Sequence, residues 1–201
     1  MQHVPAHTTR LTAAAFAPVS GIELKSHSVI EFDDDDDLVT AYLAAATAQV
    51  EFDTGCAIVK QQWQVDYGCF PDIIHLPRPP LLAVESVKYY ATDGTQQTLD
   101  PAAYQVTASG IVGRIAPAPG LSWPSTQAGR FGAVSVVYQA GHVDVVSGAA
   151  VGEAPPMLKQ AICVLAAHFY ENREAVLIGT ISKEQPLAYQ VLVNSHSVSG
   201  V

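Results

Sequence analysis

Apolar side chains recur at helical spacing in the first part of the chain, where a helix is predicted over 34–54. Five consecutive aspartates, 33–37, occupy the N-cap and first turn of this helix, where acids satisfy free N–H groups and complement the helix dipole. Gly55 ends the pattern, as glycine commonly does after a helix. The stretch 40–48 is rich in alanine, which allows a neighbouring helix to approach closely. One stripe of this helix holds the following residues: Leu38, Tyr42, Ala45, Ala46 and Gln49.

The strongest helical pattern lies near 157–176 and predicts a central, buried helix. Pro155 and Pro156 open it, since proline fits the first turn, where its missing N–H is not needed. Two shorter helices are predicted over 18–27, with Ser20 as N-cap, and over 187–194, after Pro186.

Between the helices, from about 57 to 143, apolar and polar residues alternate with a period of two. Proline- and glycine-rich turns separate the alternating runs, and Asp93-Gly94 between two of them predicts a hairpin. The pattern therefore predicts an antiparallel β region inserted between helices.

Together these patterns predict an α+β fold that is mainly α. It would be a small helical bundle of the long helix near 34–54, the central helix near 157–176 and the short C-terminal helix, with the β region inserted. Residues 1–17 have no period and are predicted to form a flexible arm. Residues 18–194 are predicted to form a single domain with its β insertion at about 57–143, followed by a tail over 195–201.

The net charge and the number of charged residues exclude some classes of function. The 201 residues include 10 Lys and Arg against 19 Asp and Glu, a net charge of −9. The cations are scattered singly, which argues against a protein that binds nucleic acid phosphates. Charged residues make up 14% of the chain, against roughly 25% in an average soluble domain. So few charges are typical of a subunit whose surface is covered in an assembly.

No apolar run approaches the roughly 18 residues of a membrane span. The first 17 residues lack the continuous apolar core of a signal peptide, so we expect a protein made in the cytoplasm that has no membrane partner.

Motifs for catalysis are absent from the sequence, which has no Walker loop, GxGxxG, GxSxG or HExxH. The seven histidines show no metal-ligand spacing. The aspartate run does not match a calcium-binding loop, because Leu38 occupies the position that requires glycine and Ala44 the position that requires glutamate. A small hydrolase is a weaker alternative function. It would work through His168 and Glu171, which lie three residues apart on a predicted helix, and through the aspartates 33–37.

Three stretches in series carry a resemblance to a known family. The first joins Ile74-His-Leu-Pro-Arg-Pro-Pro-Leu81 to Val84-Glu-Ser-Val-Lys-Tyr-Tyr90 and Asp93-Gly-Thr. The second is Gly113-Arg-Ile-Ala-Pro-Ala-Pro-Gly120 with Trp123-Pro124. The third and most specific is Pro155-Pro-Met-Leu-Lys-Gln-Ala-Ile-Cys-Val-Leu-Ala-Ala-His-Phe-Tyr-Glu-Asn-Arg-Glu174.

In this order the stretches resemble the head–tail connector (adaptor, or head-completion) family of long-tailed bacteriophages, prophages and gene transfer agents, over roughly 18–194. The resemblance implies a structural virion protein of the neck with no active site, cofactor or metal. It implies a homo-oligomeric ring of about a dozen copies beneath the portal, bridging the portal to a stopper or tail-completion protein. DNA would pass through its channel without specific binding, during both packaging and ejection.

The resemblance also implies where interfaces lie. The segment from Pro186 onward is expected to dock on the portal, and the β region around 77–80 and Trp123 to face neighbours or the tail side. Glu171 and Arg173 belong to a charge cluster that could lie between subunits. The residues expected at subunit or portal interfaces are Tyr42, Ala45, Arg78, Trp123, Glu171, Arg173, Pro186, Leu187 and Tyr189. Another head- or tail-completion factor, such as a stopper, stays open as an alternative.

Overall fold

A computed structural model describes residues 7–12, 14, 17–108, 112–142, 144–146, 149–151, 154–172 and 187–197. Contacts divide the chain into two compact units. The β unit comprises Met1–Ala14 and Lys60–Gly141, and the helical unit comprises Ala15–Val59 and His142–Val201.

The described part of the β unit forms two antiparallel sheets. The larger has the strand order β1-β2-β8-β4-β5, and the smaller has the order β3-β7-β6. A 3-10 turn, Pro101–Ala103, precedes β6. The strands are β1 His7–Thr12, β2 Gln61–Tyr67, β3 Ile74–Leu76, β4 Leu81–Tyr90, β5 Gln96–Thr98, β6 Tyr104–Thr107, β7 Gly113–Pro117 and β8 Val134–Ala140.

Burial alternates residue by residue along β2 and β8, as the period of two predicts. Their antiparallel register places Trp63 opposite Tyr138, and Val65 opposite Val136, so buried side chains of both strands share one face of the sheet. From the smaller sheet, Ile74, Leu76 and Ile115 are buried as well.

Two tyrosine hydroxyls tie the larger sheet to the segment that carries β3. Tyr67 donates to the carbonyl oxygen of His75 at 2.8 Å, and Tyr138 donates to that of Pro77 at 2.6 Å. Burial raises the pKa of Tyr67 to about 12 and also raises the pKa of Tyr138. Each ring thus fills the core while its hydroxyl has a partner.

Gly113 marks a close approach between the two sheets. A Cβ atom built on it would lie 2.6 Å from Cδ2 of Leu81 on β4 and 2.9 Å from Cβ of Leu81. The Leu81 side chain therefore occupies the space that any side chain at this position of β7 would need.

In the residues that the structure describes, the helical unit contains four helices and one β-hairpin. The hairpin pairs β9 Asp144–Val146 with β10 Ala149–Val151. The helices are α1 Gly21–Ser28, α2 Asp36–Thr54, α3 Pro156–Glu171 and α4 Leu187–Asn194. Their shared core includes Leu24, Leu43, Val50, Leu158, Ile162 and Leu165.

Local signals define the helix ends. The Ser20 side chain accepts the Glu23 backbone N–H while Glu23 accepts that of Ser20, which makes a capping box at the start of α1. Gly55 ends α2 with a φ of 71° in the left-handed region, where glycine is favoured. Buried Glu51 then accepts the backbone N–H of Ile58 at 2.8 Å and fixes the chain that leaves the helix.

Tyrosines hold α2 near both of its ends. Tyr170 of α3 donates to Asp35 Oδ2 at 2.7 Å, just before α2 begins. Tyr189 of α4 donates to Asp53 Oδ2 at 2.5 Å, near the last turn of α2. Burial, with the Asp53 carboxylate, raises the pKa of Tyr189.

The predicted mainly helical bundle is wrong, because the chain is an α+β protein in which strands and α-helices hold equal numbers of described residues. The β region contains its own buried core rather than being an insertion that decorates a bundle. The predicted region, about 57–143, contains β2 to β8 but omits β1, because a strand can obtain its partner from a distant part of the sequence. Strand β1, for example, comes from the predicted flexible arm and pairs with β2.

The helix predictions agree more closely with the structure. Ser20 caps α1, Gly55 ends α2, and the short C-terminal helix spans the predicted 187–194. Helix α3 ends at Glu171, before the predicted end near 176, and residues 173–176 lie outside the described part of the chain. The Asp93-Gly94 turn joins β4 to β5, with Gly94 at a φ of 84°.

Gly113→Ala is expected to destabilise the chain by about 1–3 kcal/mol, because the new methyl group overlaps the Leu81 side chain. Urea unfolding followed by tryptophan fluorescence measures this, since both tryptophans lie in the β unit. Gly68→Ala is the matched control, because its Cβ would meet only the Arg130 carbonyl oxygen at 3.8 Å. Equal midpoints for the two variants would contradict the close approach.

Stability is expected to fall as pH rises from about 10 to 12. The folded chain keeps the Tyr67 proton more tightly than the unfolded chain, so unfolding releases protons in this range and stability decreases with pH. Tyr67→Phe should make this fall shallower, whatever it does to stability at pH 7. Urea midpoints measured at several pH values test it, and an unchanged slope would contradict the effect of burial on Tyr67.

Candidate interaction surfaces

Thirteen large apolar side chains of the described chain are exposed. Single exposed apolar residues are ordinary on protein surfaces, whereas clusters of them mark interaction sites. Five of the thirteen expose between 72% and 94% of their surface: Ile22, Val29, Phe52, Phe131 and Leu187.

A groove lies between α1 and the start of α2. Its volume is about 650 Å³, and Ile22, Ile30 and Val39 contribute apolar side chains to its lining. Lys25, Asp33 and Asp36 line it as well. We call this feature the α1–α2 groove; it combines an apolar lining with charged groups.

Lys25 is already engaged by the acids of the α1–α2 groove. Its Nζ lies 2.6 Å from Asp33 Oδ1 and 2.5 Å from Asp36 Oδ1. The hydrogen bond from Lys25 lowers the pKa of Asp33, and the same pairing raises the pKa of Lys25. Since Glu31, Asp34 and Asp37 are also exposed nearby in the sequence, this region of the surface keeps a net negative charge.

A second surface forms at one end of the larger sheet, where β2 and β4 end and β8 begins. There the rings of Phe70 and Trp123 stack at 4.7 Å between centroids, with an interplanar angle of 8°. Tyr89 lies 5.6 Å from Phe70, and the Trp123 indole N–H donates to the Asp72 carbonyl oxygen at 3.4 Å. These contacts hold the 118–133 loop to the sheet.

The same loop carries an exposed tip, residues 129–132, that we call the Arg-Phe tip. Gly129 and Gly132, at φ values of 73° and 64°, flank the pair Arg130-Phe131. The Arg130 guanidinium lies 3.4 Å from the Tyr90 ring centroid, a cation–π contact. The Phe131 side chain is 94% exposed, the highest value among the large apolar residues described.

Helix α4 presents an apolar stripe. Leu187 and Val191, four residues apart and so on one face, are 78% and 64% exposed. On the opposite side Tyr189 and Val193 are buried in the core of the helical unit. The helix is thus anchored by one face while the other stays open.

The sequence-predicted interface residues occupy different environments. Tyr42 is half-buried with its ring 6.2 Å from that of Phe169, whereas Ala45 on the same helix is exposed. Arg78, at a φ of 63°, places its guanidinium 5.2 Å from the Trp63 ring. Trp123 belongs to the aromatic cluster described above.

Of the C-terminal predicted residues, Glu171 and Leu187 are exposed, whereas Tyr189 is 1% exposed and bonds to Asp53. Arg173 and Pro186 lie outside the described residues. The described members of the predicted set belong to both units, with Arg78 and Trp123 in the β unit and the others in the helical unit.

Sequence reasoning missed the two most exposed of the large apolar side chains, Ile22 and Phe131. A signal for Phe131 was present, because an aromatic residue between Gly129 and Gly132 has no apolar neighbours to form a strand or helix face. Ile22 gave no such signal, since an isoleucine within a predicted helix is ordinarily expected in the core.

Charge is divided unevenly between the units. The β unit carries six Lys and Arg and five Asp and Glu, a net charge of +1. The helical unit carries four Lys and Arg and fourteen Asp and Glu, a net charge of −10. The acidity of the whole chain therefore belongs to the helical unit.

The described residues contain no group of three or more His, Cys, Asp or Glu side chains placed to hold a metal ion. Among the described helices, none combines the length and hydropathy needed to cross a bilayer. His168 faces its own helix end, where Nδ2 of Asn172 lies 3.2 Å from His168 Nδ1 and also donates to the His168 carbonyl oxygen at 2.8 Å.

No protein-family model matches the sequence, and no curated protein matches it. Solved structures do match. A chain from the neck of an empty GTA particle, computed with C6 symmetry, is 21% identical with a TM-score of 0.73, and the alignment covers 97% of each chain. A chain from the virion of a native gene transfer agent (GTA) particle is 21% identical, with a TM-score of 0.73 over 96% of each chain.

A chain from the neck of a native GTA particle, computed with C12 symmetry, is 22% identical, with a TM-score of 0.68 over 97% of each chain. These likenesses extend over nearly the full length of both partners, so they include the helical unit and the β unit alike. The chain shares the fold of proteins from the neck of gene transfer agent particles.

Proposed function

We propose that the protein is a structural subunit of a virion neck, a head–tail connector that assembles as a ring of about a dozen copies beneath a portal. The observation that carries this proposal is the fold shared with GTA neck chains over about 97% of both partners. The C6 and C12 symmetries with which those necks were computed are those of rings, and a ring subunit needs two different surfaces that meet and close.

The surfaces of this chain are consistent with such a role. Exposed apolar residues lie on both units, at the α1–α2 groove, the Arg-Phe tip and the α4 stripe. The low share of charged residues, 14%, agrees with a surface that neighbours cover. A ring member uses at least two of these surfaces for its neighbours and keeps others for the proteins above and below it.

Within the neck, the proposed partners are the portal on one side and a stopper or tail-completion protein on the other. The α4 stripe is the surface proposed to dock on the portal, since Leu187 and Val191 are exposed beside a well-anchored Tyr189. DNA would pass without specific binding, because a chain of net charge −9 repels phosphates. A structural role also agrees with His168, which bonds within its own helix end.

Mass photometry of the purified protein, alone and mixed with its portal, tests the ring. We expect an annular species near a dozen copies, or co-migration with the portal, and negative-stain images of rings. A protein that stays monomeric and does not bind the portal would contradict the connector role. Binding to a tail-tube protein without binding to the portal would instead favour a tail-completion factor.

The double substitution Leu187→Asp with Val191→Asp is expected to weaken portal binding by about ten- to a hundredfold, since two exposed apolar side chains lose their contact area. Gln190→Asp, an exposed position on the same helix, is the matched control and should bind as the wild type does. Titration of the portal with each protein, read by mass photometry, measures the change. Equal affinities for all three proteins would remove α4 from the portal interface.

A further inference from the structure

We infer that neighbouring copies in the ring join by a knob-and-groove contact, in which the Arg-Phe tip of one copy enters the α1–α2 groove of the next. This inference rests on the proposed ring and names the contact that closes it. The occupant of the groove is thus a second copy of this chain, and the knob is Phe131 with Arg130 beside it.

The tip is built to project a side chain. Glycines at 129 and 132 adopt φ values of 73° and 64°, which allow the chain to turn sharply on both sides of Arg130-Phe131. Phe131 is 94% exposed in the single chain, so its ring has almost no contact with its own subunit. An exposed aromatic ring next to Arg130 offers a partner apolar contact area and a positive charge together, and both residue types are enriched at protein interfaces.

The base of the tip is held in place. The backbone N–H of Gln127 donates to the Tyr90 carbonyl oxygen at 3.0 Å, and the Gln127 side chain accepts from Arg130 at 3.3 Å. The stacked pair Phe70 and Trp123 holds the same loop further back. A knob held in position before binding loses little conformational freedom when it docks.

The groove offers the complement of this knob. Ile22, 81% exposed, and half-buried Ile30 supply apolar contacts for an aromatic ring. Asp33 and Asp36 supply negative charge, and the side chain of Asp33 is 90% exposed even though it pairs with Lys25. An incoming Arg130 therefore finds carboxylate oxygens beside the site where Phe131 would enter.

Charge favours this pairing over contact between like surfaces. Two helical units facing each other would oppose net charges of −10, whereas the β unit carries +1. A contact between groove and tip is also heterologous, since different surfaces of the two copies meet, and such contacts can close into rings. The α4 stripe is a less suitable occupant of the groove. Its exposed residues Leu187 and Val191 carry no charge that could pair with the groove's carboxylates.

Loss of the knob is the first test. Phe131→Ala is expected to raise the concentration at which half of the chains are in rings by about ten- to a hundredfold, measured by mass photometry on the portal. Its thermal midpoint should match that of the wild type, since Phe131 is 94% exposed. Leu121→Ala is the matched control, an apolar residue of the same loop with 56% exposure, and should assemble normally.

Cross-linking tests the contact itself. With exposed Cys69 replaced by serine, chains carrying Phe131→Cys are mixed with chains carrying Ile22→Cys under mild oxidation. Disulfide-linked dimers are expected from the mixture, and neither population should form them alone. Cross-linking of one population by itself would point to contact between like surfaces and overturn the inference.

Charge reversal supplies an independent check. Arg130→Glu should weaken assembly, and Asp33→Arg in the same chain should restore it, because the two positions exchange their signs across the interface. Arg114→Glu, an exposed arginine of the same unit, makes the same change of net charge and should assemble normally. Equal weakening by both glutamate substitutions would indicate a general effect of net charge and contradict a specific contact.

The outcomes separate the inference from the function on which it rests. Rings that survive Phe131→Ala, with no disulfide between the two cysteine variants, would overturn the knob and groove while leaving the connector intact. If the portal alone protects the thiol of the Ile22→Cys variant from alkylation, the groove belongs to that partner and the inference is equally overturned. A wild-type protein that forms no ring under any condition would contradict both proposals.

Discussion

The pairing of β2 with β8 is the interaction on which the β unit depends. Seven residue pairs, from Gln61 opposite Ala140 to Tyr67 opposite Val134, align the buried faces of the two strands, and each strand has a further partner on its outer side. The register also determines where the adjoining loops begin, since β2 ends and β8 starts at the same edge. The aromatic cluster and the exposed tip at that edge follow from this alignment, and a slip by one residue would reverse both faces.

In the helical unit, α2 has the corresponding role. Tyr170 and Tyr189 donate to carboxylates close to its two ends, and hydrogen bonds to charged groups contribute about 1.5–3 kcal/mol each. Bonding at Asp35 fixes the start of α2, and therefore the position of the Asp36 and Val39 side chains that line the groove. Contacts made inside the helical unit thus determine the geometry of the α1–α2 groove on its surface.

The sequence was informative where the deciding signal is local. Ser20, Gly55 and Asp93-Gly94 identified a cap, a helix end and a hairpin, because each acts through its own backbone within a few residues. Strand β1 could not be found this way, since His7–Thr12 gain their order from pairing with β2. Burial of Tyr189 and exposure of Phe131 depend on what packs beside them, and an isolated residue in a sequence does not reveal its neighbours.

The uneven charge of the two units bears on how copies would meet. A chain of net charge −9 repels its copies in solution, and salt reduces this repulsion only beyond roughly 8–10 Å. Contacts that place the nearly neutral β unit against the acidic helical unit avoid the largest opposing charges. In the proposed ring each contact would bury only a small tip, so a single contact would have a low affinity. Closure of the ring would combine the binding free energies of all the contacts.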